Sequence, residues 1–111
     1  MKFFCRNDER SGTMYHEFYK GEWKDGYGCW HDGSLLLHDD LLTDSGLGSI
    51  LRESVIDYCY YGDTLIFPED WEEVCRRAKK LGGMAAEMIA EAEPWVADAF
   101  GEHGCFTILG I

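Results

Sequence analysis

Apolar and polar positions change their period along this chain. From Pro68 onward the spacing is helical. Trp71, Val74, Cys75, Ala78 and Leu81 recur at i, i+3, i+4, i+7 and i+10, one face of a helix. Glu69, Asp70, Glu72 and Glu73 open that segment, while Arg76, Arg77, Lys79 and Lys80 close it, the arrangement that complements a helix dipole. Gly82-Gly83 supplies the stop. A second stripe of Met88, Ile89, Ala92, Trp95, Val96 and Ala99 predicts a helix from about Met84 to Phe100. Pro94 either kinks it or opens a second short helix, because proline removes one backbone donor and crowds the preceding turn. Cys105 to Leu109 reads as a last strand.

The first two-thirds of the chain reads differently. Residues 2–5 are a short apolar run, and residues 13–24 are rich in Tyr, Phe and Trp. Asp25-Gly26 and Asp32-Gly33 are hairpin-turn dipeptides, since a type I′ turn needs positive φ at both central positions. They predict strands near 14–24, 27–31 and 34–38. Across the Asp32-Gly33 turn, Tyr27, Cys29, His31, Ser34, Leu36 and His38 share one polar face. Trp30, Leu35 and Leu37 then face the core. Residues 55–61 and 64–67, β-branched and aromatic, predict a second hairpin around Gly62-Asp63. Between them, Asp44-Ser45 could cap a short helix ending at Ser54, with Gly46 and Gly48 each weakening it by about 1 kcal/mol. The expected fold is α+β: one domain over residues 1–111, an antiparallel β-meander or hairpin sheet of about five to six strands, and two C-terminal helices packed on one face.

Charge narrows the function classes. The 111 residues carry 21 acidic and 10 basic side chains, a formal charge of -11. Such a surface repels phosphate, which argues against direct nucleic-acid binding and against docking on anionic membranes. It attracts a basic partner protein. No apolar run reaches the length of a membrane span. Five widely spaced cysteines, an odd number with no C-x-x-C pair, fit free thiols in a reducing cytoplasm.

No catalytic signature stands out, and the balance leans away from an enzyme. Cys29, His31, His38, Asp39 and Asp40 are metal-ligand types. On the expected hairpin, however, His31 and His38 lie two paired rows apart, roughly 13 Å, too far for one ion. Neither metal nor cofactor is expected. Cys105, following His103-Gly104, is the least implausible nucleophile, but a reactive thiol wants an electropositive setting that this chain lacks. Gly26-Tyr27-Gly28 has no third glycine, and there is no Walker-type loop.

Tyr19-Lys20-Gly21-Glu22-Trp23-Lys24-Asp25-Gly26 resembles the opening of a MORN repeat, of pattern Y-x-G-x-W-x-x-G. The resemblance spans eight residues and implies a β-hairpin there. Gly28 comes too early for the next glycines of that family, no second copy follows, and repeat units need neighbours to bury their faces.

The most suggestive feature is on the last helix. At about 100° per residue, Glu87, Glu91, Asp98 and Glu102 form one acidic stripe beside the buried face. No basic residue follows Lys80. These features lead to the expectation of an acidic protein-binding module. Its concrete form is an inhibitor or immunity-type protein that covers a basic surface, a nucleic-acid- or substrate-binding one, on its partner through Glu87, Glu91, Asp98 and Glu102. One alternative is a small-ligand-binding domain or small enzyme with a cleft lined by Tyr15, Tyr19, Trp23 and Trp30. Another is an accessory protein that mimics the charge of DNA.

Overall fold

The computed structural model describes residues 1–111. Five strands form one antiparallel sheet: β1 (Phe4–Cys5), β2 (Tyr15–Lys20), β3 (Leu35–His38), β4 (Asp63–Ile66) and β5 (Phe106–Leu109). Their spatial order is β1-β3-β2-β5-β4. Four helices complete the α+β fold: α1 (Asp39–Asp44), α2 (Leu47–Ser54), α3 (Pro68–Leu81) and α4 (Gly83–His103). None is long and apolar enough to cross a membrane.

Strand alternation sorts the side chains into two layers. Phe4, Phe18, Leu35, Leu37, Ile66, Phe106 and Ile108 face the helices and join Leu47, Leu51, Trp71, Val74, Met88, Trp95 and Val96 in one core. Phe18 sits at its centre. It pairs with Leu35 on one side and Ile108 on the other, and its ring stacks on Phe106 at 5.5 Å.

α3 starts at Pro68, whose missing N–H is no loss in a first turn. The Asp70 carboxylate accepts from the Phe67 N–H at 2.9 Å and fixes that entry. α4 runs unbroken through Pro94. Pro94 and its neighbour Glu93 are exposed, as is Ala90, whose carbonyl loses its helical donor and faces water instead. The buried stripe on the opposite side keeps the helix continuous.

The N-terminal connectivity departs from the expected meander. Residues 27–31 form no strand, and β3 pairs with β2 and β1 instead. Gly28 and Trp30 adopt φ of +73° and +67°, which no strand accommodates. Trp30 therefore leaves the core side, and Leu36, expected on a polar face, is fully buried. The expected hairpin around Gly62-Asp63 is also absent: residues 55–61 are turn and loop, and β4 pairs with β5. Residues 39–54 form two helices divided at Gly46, whose φ of +87° favours glycine.

Candidate functional site

The sheet face away from the helices carries Tyr15, Glu17, Tyr19, Leu36, Thr107 and Leu109. Residues 21–34 arch across it. Gly21, at φ +88°, turns the chain out of β2, and the Thr107 hydroxyl donates to its carbonyl at 2.8 Å. Trp23 returns a bond from its N–H to the Thr107 Oγ1 at 3.1 Å. No hairpin follows the eight residues that resemble a MORN repeat; residues 21–28 are turn and loop.

One side chain anchors this arch. Glu17 has only 1% of its surface exposed. Its Oε1 accepts from the Trp30 N–H at 2.6 Å, and its Oε2 accepts from the His31 N–H at 3.0 Å and the Ser34 hydroxyl at 2.6 Å. The His31 Nδ1 lies 3.1 Å from the same oxygen. A buried carboxylate survives only when charge-assisted bonds replace water, and here they do. The bonds also hold Trp30 in its left-handed backbone, a conformation that costs on the order of 1 kcal/mol for a non-glycine residue. Arg10 stacks on the Trp30 ring at 4.4 Å and Tyr15 meets its edge at 6.4 Å.

Two adjoining cavities lie between arch and sheet, sharing Cys29, Leu109 and Gly110. The first, of about 260 Å³, is walled by Tyr15, Glu17, Trp30 and Ile111. The second, of about 290 Å³, is walled by Trp23, Asp25, Tyr61 and Asp63. Of the four residues expected in a cleft, Tyr15 and Trp30 line one cavity and Trp23 the other. Tyr19 lines neither; its ring packs on Tyr27 and His31 at 6.3 and 4.9 Å.

The acidic stripe on α4 is largely engaged within the protein. Lys2 reaches Glu87 at 3.3 Å and Lys20 reaches Glu102 at 3.5 Å. Glu91 accepts the backbone N–H groups of Lys2, Phe3 and Phe4 at 2.7 to 3.3 Å, closing the outer edge of β1. Asp98 alone is exposed without an ion pair. Burial pushes the Glu91 carboxyl up, but the three N–H groups outweigh it and hold the group below its ordinary 4.5. A carboxyl depressed in the folded state contributes stability above its unfolded pKa and loses it as pH falls through the folded value. Glu91→Gln is therefore expected to lower stability at pH 7 by about 1–2 kcal/mol. It should also flatten the acid limb between roughly pH 5 and 3, read by urea unfolding at each pH.

A polar cluster that sequence reasoning missed joins β2 to α1 and the 55–62 segment. His16, fully buried, places Nε2 2.9 Å from the Asp39 carboxylate, which also accepts from the Tyr60 hydroxyl at 2.5 Å. Burial raises the Asp39 carboxyl, but the bonds from His16 and Tyr60 outweigh it and leave the group low. The bond to Asp39 pushes the Tyr60 phenol up to about 12. The one available signal was His16 at a core-facing position, two residues before Phe18.

His31 is spent on Glu17 and on the Tyr27 carbonyl. Nowhere do three His, Cys, Asp or Glu side chains converge closely enough to hold a metal ion. Cys105 is buried, and that burial, with Glu22, raises its thiol, so it is no ready nucleophile. Burial likewise pushes Cys75 up to about 11 and raises Cys5. Cys29 and Cys59 are exposed. A thiol-reactive disulfide reagent is expected to titrate Cys29 and Cys59 rapidly in the folded protein, and the other three only on unfolding. The largest cavity, about 500 Å³ between α2 and α3, holds Arg76, Arg77 and Lys80, but Glu73 and Glu53 pair with both arginines.

No family model matches the chain, and no match to it was found among curated proteins or solved structures.

Proposed function

We propose that this protein is a binding module that covers a basic surface of a partner protein, as an inhibitor or immunity-type protein does. The observation that carries this reading is uncompensated charge. Only Glu53, Glu73, Glu87 and Glu102 of the 21 acidic residues pair with Lys or Arg, leaving 17 that do not. Exposed Ile56, Tyr27 and Tyr61 lie among them. Acidic groups accelerate encounter, and aromatic anchors slow release.

The test is capture of the tagged protein's partners from its own cell lysate at low and high salt. One stoichiometric basic protein, lost at high salt, supports the reading; no protein at either salt overturns it. Neutralising Glu87, Asp98 and Glu102 together should lower that partner's association rate several-fold at low salt through the overall field.

The cavity beside Glu17 favours a second reading, a small-ligand site. It is mostly apolar, with one carboxylate at its wall. A thermal-shift screen of small aromatic and cationic compounds tests it. A stabilising compound that Trp30→Ala no longer binds supports this reading; no stabilising compound removes it.

A further inference from the structure

The sheet has two edges, and the protein treats them differently. At β1 the outward N–H groups are taken by the Glu91 carboxylate. β4 pairs only with β5. The bond from the Gly110 N–H to the Gly62 carbonyl, 2.8 Å, fixes the phase of this pairing. Gly62, Thr64 and Ile66 turn their backbone groups toward β5, so Asp63 and Leu65 turn theirs outward. Phe67, next in phase, is already satisfied: its N–H donates to Asp70 and its carbonyl accepts from Trp71. The free edge therefore offers two N–H donors and two carbonyl acceptors, from Asp63 and Leu65. Such an edge is a template for a further strand unless it is blocked.

The surroundings specify what would add to it. Tyr61 and Phe67, 78% and 47% exposed, flank this short strand in sequence, and Ile56, 98% exposed, lies in the turn segment before it. Between Arg52 and Arg76 the chain has seven carboxylates and no Lys or Arg. Asp57, Asp63 and Glu69 are exposed among them. A second copy would bring like charge against like charge. A basic extended segment would set its cationic row on the face of Asp63, where the aliphatic stems of those side chains also meet Tyr61.

We propose that the exposed edge of β4 is the docking site for a basic, extended segment of the partner, which pairs with Asp63 and Leu65 as a sixth strand. This rests on the reading of the protein as a module for basic partners. It commits that reading to strand addition, in which main-chain bonds give affinity and side chains give selectivity.

The probe is a disulfide-closed β-hairpin peptide whose outer strand alternates Lys and Val, with an otherwise identical Glu-Val hairpin as control. Amide resonances and hydrogen exchange of the whole protein are followed during titration. The Lys-Val hairpin is expected to shift and protect the Asp63 and Leu65 amides, and the Glu-Val hairpin to do neither. Leu65→Pro removes an N–H that the fold itself does not use, and should weaken binding about tenfold. Asp63→Lys keeps both edge amides and should weaken it by a similar factor through charge alone, which covers the case in which Leu65→Pro does not fold. Shifts confined to other acidic surfaces overturn the edge site and leave the wider reading standing. Absence of binding by the Lys-Val hairpin also overturns the edge site, while the salt-dependent capture decides the wider reading separately. Self-association that Leu65→Pro abolishes would assign the edge to a second copy instead.

Discussion

Phe18→Ala is expected to cost about 3–5 kcal/mol of folding free energy and to lower the melting midpoint by roughly 12–20 °C. Phe18 is fully buried, and its ring lies within 5.5 to 6.3 Å of the rings of Phe4, Phe106, Trp95 and Trp71. Those partners come from β1, β5, α4 and α3, so the side chain ties the sheet to the helical layer at one point. Removing a ring there loses its transfer free energy and leaves a void that rigid aromatic neighbours fill poorly. A domain of this size has a total stability of roughly 5–15 kcal/mol, so the loss would be a large share of it. Urea unfolding followed by far-ultraviolet dichroism and by tryptophan emission measures it. Both signals should move together to lower urea. A shift below about 1 kcal/mol would mean that the aromatic cluster collapses around the gap, and that Phe18 is not its keystone.

The helices were legible in the sequence where their determinants are local. α3 is written in sixteen consecutive residues, Phe67 to Gly82: entry proline, charge order, apolar face and glycine stop. α4 was legible except at Pro94, where the outcome depends on which side of the helix the proline occupies. The buried stripe puts Pro94 on the water side, so a lost backbone bond there is replaced by hydration. The strands were less legible, because pairing is a tertiary choice. Leu35, Leu36 and Leu37 form a continuous apolar run, the mark of a strand covered on both faces. The Asp32-Gly33 turn itself forms, closed by the Ser34 N–H on the His31 carbonyl at 3.1 Å, but no strand precedes it: the apolar run places β3 between β1 and β2 while residues 27–31 cross the outer face.

The candidate sites divide in the same way. The aromatic residues of the cleft could be gathered from composition and alternation, and three of the four line the two cavities. Periodicity also placed the acidic stripe on one side of α4. It could not show that Lys2 and Lys20, 85 and 82 residues away from their partners, reach across to it, or that Glu91 serves the N-terminal backbone. Glu17 was illegible for a related reason. A glutamate between His16 and Phe18 in an alternating strand reads as a solvent-facing residue. Only the arch of residues 21–34, folded back over it, makes it the most deeply buried acid in the chain.

Glu17→Leu is therefore expected to act on the arch before it acts on the core. The substitution leaves the Trp30 and His31 N–H groups and the Ser34 hydroxyl without their acceptor. Each buried donor without a partner costs about 1–3 kcal/mol, so retaining the native arch would cost several kcal/mol. Peeling residues 28–34 away lets water satisfy all three groups and relaxes the positive φ of Trp30, at the cost of exposing Leu36 and Leu109. The second route is cheaper, because the arch lies at the surface and carries few core side chains. The expected global loss is thus about 2–4 kcal/mol. The local result is sharper: amide exchange at Trp30 and His31 should rise by orders of magnitude, and proteases should cut within residues 22–34 of a protein whose α3 and α4 remain intact. Glu17→Gln keeps the shape but offers one acceptor oxygen where the carboxylate offers two, and should fall between wild type and leucine. In both variants the two cavities open, so any occupant of the site beside Glu17 loses its outer wall while the β4 edge keeps its geometry. Unchanged exchange at Trp30 and His31 in Glu17→Leu would show that Arg10 and Tyr15 hold Trp30 without the carboxylate. The buried charge would then have no structural role in the arch.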